Sequence, residues 1–558
     1  MPYASADYTG EGLMCCRIRP VMLLYWGLCG AVVFGMVGGC SPQHYKEEAD
    51  EQVYKIIDSK WHESFGQKAN YIVSDSHLPP SPNEIRVDGV PAPPDTITLV
   101  QAVALATANN RNYQNQKENL YLSALALTGI RHDYERQWFA TIDGAYVENT
   151  IADDGFFLRS NIATTQDFVL PSGIIISTSL AVDWLRYLTG DPRTSLGSVL
   201  TASIAVPLLG AGAGKQDWET LLQNERQVLY DIRSFNRFRK TFVVDVINAY
   251  YGVLQERDAV TNAENDYKRR VESKERLEWL AKAGRRPPFE VDQAEQDMLA
   301  ASDRYVAAQQ RYERVLDDLK IRLGLPTDID IELDQNELKA LEEMGITEPA
   351  FTVEAAIETA LLQRLDLANA ADQIDDALRK VVLAAEGLGP QLNLNARTVP
   401  DNIKFTSPED ETDFQNLRFH EGMYDFGFDA DLPLERVEQR NTYRIALIAL
   451  QRQQRQYELD ADVLKLQVRD SHRLLLETAE RYRIQKNSLE LAERRVDSTR
   501  LLLDAGRATT RDLLESQNAL LVAQNAVTAA LVAHLDAKLS FFRDVGILQV
   551  RPDGMWVE

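Results

Sequence analysis

The chain has 558 residues, an apolar fraction of 45% and a formal net charge of −24. It is therefore long enough for more than one core and too apolar to be disordered throughout. The excess acid lies beyond residue 40, because Asp7 and Glu11 are balanced there by Arg17 and Arg19; it argues against nucleic acid as a partner and suits solubility or a cation-favouring surface or lumen.

Arg17-Ile-Arg19 precedes an apolar run from Val21 to Val37, followed by Gly38, Gly39, Cys40 and Ser41-Pro42. A basic start, a short apolar stretch and small residues before a cut site make a secretory leader, residues 1–39. Val37-Gly38-Gly39-Cys40 resembles the lipobox of a bacterial lipoprotein. That resemblance implies Cys40 as the lipidated first residue of the mature chain and, with Ser41 behind it, sorting to an outer membrane. An N-terminal transmembrane anchor is the competing reading, and Met14 is a second candidate start. The four cysteines are Cys15, Cys16, Cys29 and Cys40, so no disulfide framework or cysteine metal site is expected further on. No later segment offers the 18 or so consecutive apolar residues of a membrane helix. Residues 40–97 form an N-terminal extension, polar and partly helical at first. Its stretch 79–95 holds six prolines and reads as an extended linker.

From Thr98 the chain repeats itself. Thr98-Leu-Val-Gln-Ala-Val-Ala-Leu-Ala opens residues 98–325, and Thr352-Val-Glu-Ala-Ala-Ile-Glu-Thr-Ala opens residues 351–548. In each, a threonine N-cap precedes an alanine-rich amphipathic helix. Ala283-Gly284-Arg285 matches Ala505-Gly506-Arg507, and Leu323-Gly324-Leu325 matches Val545-Gly546-Ile547, at one offset of 222. Two halves sharing an offset indicate internal duplication, with 326–350 as the linker between them and 549–558 as a tail.

Strand patterns fall inside each half. In the first, Ala140–Val147, Ile174–Trp184 and Val199–Val206 are candidates for one pair of strands. In the second, Leu392, Leu394, Ala396 and Thr398 alternate with polar residues, as do Tyr424, Phe426, Phe428 and Ala430. Strands of about ten residues with one apolar and one polar face are the signature of a membrane barrel. A soluble half-buried hairpin has the same pattern. After them, Leu434–Asp504 runs 71 residues without Pro or Gly, roughly 105 Å as a continuous helix. Val468, Leu475, Tyr482, Leu489, Val496 and Leu503 fall every seventh position, beside the smaller row Leu464, Ser471, Thr478, Gln485, Ala492 and Thr499. A sustained period of seven predicts a coiled-coil seam. Beyond the glycine turns, Val291, Met298, Tyr305, Tyr312 and Leu319 repeat at the same spacing. Their counterparts 222 residues on are Leu513, Leu520, Val527, His534 and Phe541.

Four strands per chain are too few to close a barrel, which takes about eight, and lipid does not tolerate an open sheet edge. Several chains must then share one barrel, with their helices continuing it outside the membrane. This plan, over Thr98–Ile547, resembles the TolC-like outer membrane efflux proteins. The resemblance implies a mainly α fold with a membrane β part: duplicated long-helix coiled-coil repeats forming an α-barrel, and four strands per chain contributing to a trimeric 12-strand β-barrel. It also implies a homotrimer in the outer membrane, a periplasmic adaptor protein and an inner-membrane pump. With the lipobox, it points to the outer component of a resistance-nodulation-division type tripartite efflux system. A type I protein secretion channel and a non-channel coiled-coil lipoprotein are the alternatives.

Site residues follow from the same resemblance. Asp512 and Glu515, three apart on one helix face, match the acidic residues that ring the closed periplasmic aperture. Elementary chemistry offers a plainer role, since acids favour the positive start of a helix. Gly284, Arg285, Gly506 and Arg507 match the helix tips that touch the adaptor. Pro287-Pro288 departs from the usual tip. Gly210-Ala-Gly-Ala-Gly214-Lys215-Gln216 fails as a phosphate loop, because position 209 is Leu and Gln216 replaces the required Ser or Thr. The seven histidines show no metal-ligand spacing, and no nucleophile–base arrangement stands out. Neither catalysis nor a cofactor is expected.

Overall fold

A computed structural model describes residues 41–68, 71–73, 96–149, 155–170, 173–187, 194–209, 213–346, 352–400, 422–432, 434–551 and 556–557. The leader, Cys40, the proline-rich stretch 79–95 and residues 210–212 of the glycine-rich turn lie outside the described residues. The chain divides into two compact units, Met1–Lys55 and Ile56–Glu558. Helix α1 (Pro42–Lys60) begins in the first.

In the second unit the order is β1 (Thr96–Ile97), α2 (Leu99–Asn109), α3 (Arg111–Asp133), β2 (Gln137–Asn149), β3 (Gly155–Val169), β4 (Ile175–Tyr187), β5 (Thr194–Leu209), α4 (Ala213–Lys282) and α5 (Pro288–Leu323). Then come β6 (Glu332–Leu333) and α6 (Asn336–Met344), and the plan recurs: α7 (Val353–Gln363), α8 (Leu365–Glu386), β7 (Gln391–Pro400), β8 (Gly422–Asp431), α9 (Val437–Asp504) and α10 (Thr510–Val545). Two short strands, β9 (Gln549–Val550) and β10 (Trp556–Val557), follow. The helices match in length across the two halves: 11 and 11 residues, 23 and 22, 70 and 68, 36 and 36. Both threonine caps form. Thr98 accepts from the Gln101 N–H and Thr352 from the Ala355 N–H, each satisfying a donor that the first helical turn leaves without a partner.

The period of seven becomes packing. Leu464, Val468, Leu475 and Tyr482 of α9 are buried against α10, as are the smaller Ser471, Thr478 and Ala492. Leu513, Leu520, Val527, His534 and Phe541 form the answering row, all buried. Phe541 is fully enclosed among Leu464, Val468, Leu475 and Ala537, and the His472 ring meets it edge-on. In the first half Ala294, Ala301 and Ala308 are buried while Val291, Met298, Tyr305 and Tyr312 are only half-buried, so α4 and α5 approach over small side chains.

Between the halves the seam is polar instead. Along α4 and α10, Asn248 donates to Asp536, Thr528 donates to Asp258 (2.7 Å), Asn262 meets Asn525 (3.0 Å) and Arg270 donates to Asn518 (2.8 Å). Asp266, 1% exposed, sits at the lower end of this seam with three guanidinium groups around it, those of Arg270 (3.3 Å), Arg304 (3.2 Å) and Arg269 (3.8 Å). Burying a carboxylate that deep is costly without such partners.

The sheet corrects the expected strand count. It holds six strands rather than four, in the order β2-β3-β4-β5-β7-β8, every neighbouring pair antiparallel. All three candidates in the first half are strands, and Gly155–Val169 is a fourth. Its run Ser160-Asn161 and Thr164-Thr165-Gln166-Asp167 is polar on both faces and so carries no alternation of period two.

The register fixes the faces, because residues directly opposite in a ladder point to the same side. Leu394 opposes Phe428 and Ala396 opposes Phe426 on one face, while Asn393 opposes Asp429 and Arg397 opposes Asp425 on the other. The first face continues through Ile204, Ile176, Phe168 and Ala140. Among the described side chains of the six strands it carries no charge. The second face carries Asp143, Asp167, Arg397, Asp425, Asp429 and Asp431. Apolar residues such as Phe426 and Phe428 remain more than three-quarters exposed in the single chain. A sheet that leaves its apolar face uncovered is built for another solvent or another chain.

Candidate functional site at the paired helix turns

The two glycine turns, far along the chain from each other, are held together. Each ends a long helix in the same way. Gly284 (φ 69°) and Gly506 (φ 72°) take the left-handed conformation. The next amide reaches back to a carbonyl five residues earlier, Arg285 to Leu280 (2.9 Å) and Arg507 to Leu502 (2.8 Å). That closure satisfies carbonyls that a helix end otherwise leaves bare, and the left-handed residue it requires favours glycine.

Side chains then link turn to turn. Thr510, 2% exposed, donates to Glu290 (2.7 Å), and Glu290 also faces Arg286 (3.6 Å). Arg286 donates to the Leu503 carbonyl (3.3 Å), and Arg276 pairs with Asp504. None of these residues carried a sequence signal, since each bond joins positions more than 200 residues apart or depends on where the turns meet.

The two acids stand at the start of α10. Asp512 closes a capping box: its Oδ2 accepts from the Thr509 hydroxyl (2.7 Å) and the Thr509 N–H (2.9 Å), and its own N–H donates to the Thr509 hydroxyl (3.3 Å). The Thr509 hydroxyl, ahead of the backbone bond, holds the Asp512 carboxyl below its ordinary range. Glu515, one turn on, pairs with Arg495 of α9 at 3.2 Å across the coil. Both acids are exposed, and each is anchored to its own surroundings rather than to the other. Arg285 and Arg507 are exposed and make no ion pair among the described residues. Beside them stand large exposed apolar groups: Trp279 of α4, Phe289 of α5 and Leu501 of α9.

The capping box gives a pH prediction. A carboxyl whose pKa is depressed by folding contributes stability above its unfolded pKa and loses it as pH falls through the folded one. Amide protection at residues 510–513, corrected for intrinsic exchange, should therefore fall once the pH drops below the ordinary carboxylate range. Asp512→Asn should remove that pH step. An unchanged step in the variant would exclude this carboxyl as its source.

Residues 356–541 match the family model of the outer membrane efflux protein. That match spans about a third of the chain. Solved structures share the fold. The CmeC outer membrane channel of Campylobacter jejuni aligns over 80% of this chain and 85% of its own, with a TM-score of 0.57 and 14% identity. VceC of Vibrio cholerae aligns over 80% and 96%, at 0.56 and 13%. The open state of the MtrE outer membrane channel of Neisseria gonorrhoeae aligns over 80% and 88%, at 0.56 and 14%. No curated protein matches the sequence. The family match lies within the second half of the chain, from α7 to α10, and takes in Gly506, Arg507, Asp512 and Glu515. Gly284 and Arg285 lie outside it. Among the described residues no group of three His, Cys, Asp or Glu side chains is placed to hold a metal ion.

Proposed function

We propose that the chain is an outer membrane efflux protein, the exit channel of a tripartite efflux system assembled from three copies. The sheets close a barrel in the outer membrane, and the long helices carry the passage into the periplasm. One observation supports this above the others. A sheet with one face that carries no charge among its described side chains leads, within a few residues, into helices of 70 and 68 residues whose far ends meet at matched glycine turns. Lipid demands the uncharged face, and a passage across the periplasm demands the length.

In this reading Asp512 and Glu515 ring the periplasmic aperture, where threefold symmetry brings six carboxylates together. Arg285 and Arg507, with Trp279 and Phe289 nearby, form the surface that meets a periplasmic adaptor. An exposed apolar group flanked by unpaired cations is a common interface composition. The inner-membrane pump supplies the energy and selects the small molecules to be exported. Cys40 is the lipid-bearing first residue of the mature chain.

Native mass spectrometry of the detergent-extracted protein tests assembly and anchoring together. The expected species is a trimer whose subunits each begin at a lipidated Cys40. A lipidated monomer would point to a coiled-coil lipoprotein without a pore, since one sheet of six strands is below the number that closes. A trimer without added lipid mass would remove the Cys40 assignment alone.

A further inference from the structure

We infer that the membrane barrel has eighteen strands, six from each of three copies, closed by pairing the outer edge of β2 on one copy with the outer edge of β8 on the next. The inference rests on the trimer proposed above and adds to it the strand number, the closing edges and the width of the pore.

The added hairpin β2–β3 is continuous with the rest of the sheet. Thirteen residue pairs join β2 to β3, and thirteen join β3 to β4 without a break in register. Among the described residues the only irregularity in the sheet is a bulge at Pro207 and Leu209, two strands away. Folding the hairpin out of the barrel would strip β4 of a full-length ladder and leave its backbone groups bare in lipid, which spanning structures do not tolerate.

Among its described side chains the hairpin also obeys the facing rule of the other four strands. Trp138, Ala140, Thr164 and Phe168 fall on the uncharged face, and Asp143 and Asp167 fall on the charged one. An accessory hairpin lying in water has no reason to keep that partition in phase with Phe426 and Phe428 at the opposite edge. Its strands, at 13 and 15 residues, exceed the 9–11 or so that a tilted strand needs to cross the hydrocarbon. No strand among the described residues lies beyond β2 or β8. These two edges are thus the places where a second copy adds on, and an even strand number per chain keeps the joined pair antiparallel.

Barrel diameter grows about linearly with strand number, so eighteen strands give a bore about one and a half times that of twelve. Barrels of this size leave an open aqueous channel. The membrane segment is then wide, and control of passage falls to the turns at the other end of the helices.

Paired cysteines test the closing edge in the full-length protein, which has no cysteine after residue 40. Thr141→Cys on β2, combined with Asp425→Cys or Gly427→Cys on β8, places thiols on the same face of the two edges. Oxidation should link copies into a covalent trimer, while Ser179→Cys on β4 with the same β8 partners should not. Efficient β4–β8 linkage with none from β2 would overturn the inference. A cryo-electron microscopy map in nanodiscs gives the count directly and decides the matter if no pair reacts. Threefold symmetry with eighteen strands is expected. Threefold symmetry with twelve would refute the strand number and leave the channel reading standing, whereas no trimer would remove the channel reading itself.

Discussion

Replacing Asp512 and Glu515 together by alanine is expected to raise the resting conductance of the assembled channel in planar bilayers. The exposed Arg495–Glu515 pair ties the start of α10 to α9 at 3.2 Å. Exposed pairs contribute roughly 0.2–1 kcal/mol each. Three copies acting together shift the closed-to-open ratio by roughly threefold to a hundredfold. Losing Asp512 adds to this by removing the capping box that sets the turn, and shorter side chains widen the aperture. Charge and shape separate in the control pair Asp512→Asn with Glu515→Gln. Both double variants should lose cation preference, read as reversal potential in a salt gradient, because the carboxylates that attract cations are gone. The alanine pair should show the larger rise in conductance. Wild-type conductance from a well-assembled alanine variant would sink the gate assignment.

Gly324→Ala is expected to destabilise the protein far more than Gly506→Ala, although both residues end a helix with positive φ. Gly324 has φ 73°, and a Cβ built there would lie 2.5 Å from the Asn109 carbonyl oxygen at the end of α2. Asn110 beside it donates to the Arg322 carbonyl (2.8 Å), so two helix ends interlock. The left-handed conformation alone costs about 1–2 kcal/mol for an L-residue. Pushing backbone aside adds about 1–3 kcal/mol. Gly506 has φ 72° with nothing near the added atom, so only the first penalty applies. Thermal dissociation of the two variants beside the parent gives the comparison. Equal small shifts would mean that the Asn109 backbone moves aside freely.

The helical frame was legible because it rests on spacing. A period of seven over Val468–Leu503 needs only local residues to be read, and so do the glycines that stop the helices and the threonines that start them. The alternation of Leu392–Thr398 and Tyr424–Ala430 was equally plain. Gly155–Val169 was not, because Ser160-Asn161 and Thr164-Thr165-Gln166-Asp167 are polar on both faces and leave no alternation to read. Around the turns, Gly284, Gly506 and Asp512 announced themselves through backbone demands. Glu290, Thr510, Arg276 and Asp504 did not, since their bonds exist only once the two halves have met. The Asp266 cluster lies between: Arg270 stands at i+4, but Arg304 and Asn518 arrive from other helices.

The β5–β7 ladder imposes an order of events during biogenesis. Ala202 pairs with Thr398, nearly two hundred residues further on, with α4 to α8 between them. The other pairings in the sheet join strands consecutive in the chain, so the first four strands can zip together while the second half is still being delivered. Loop-closure entropy grows only slowly with length, so the delay weighs on timing far more than on final stability. Through that interval β5 presents an unsatisfied edge, which is what a second chain recognises. The β7–β8 hairpin of another copy fits that edge as well as the chain's own, and exchange of hairpins is the characteristic error for such a topology. Subunit docking before the second half arrives therefore favours swapped assemblies, and correct ones depend on keeping nascent copies apart until each has closed its own sheet.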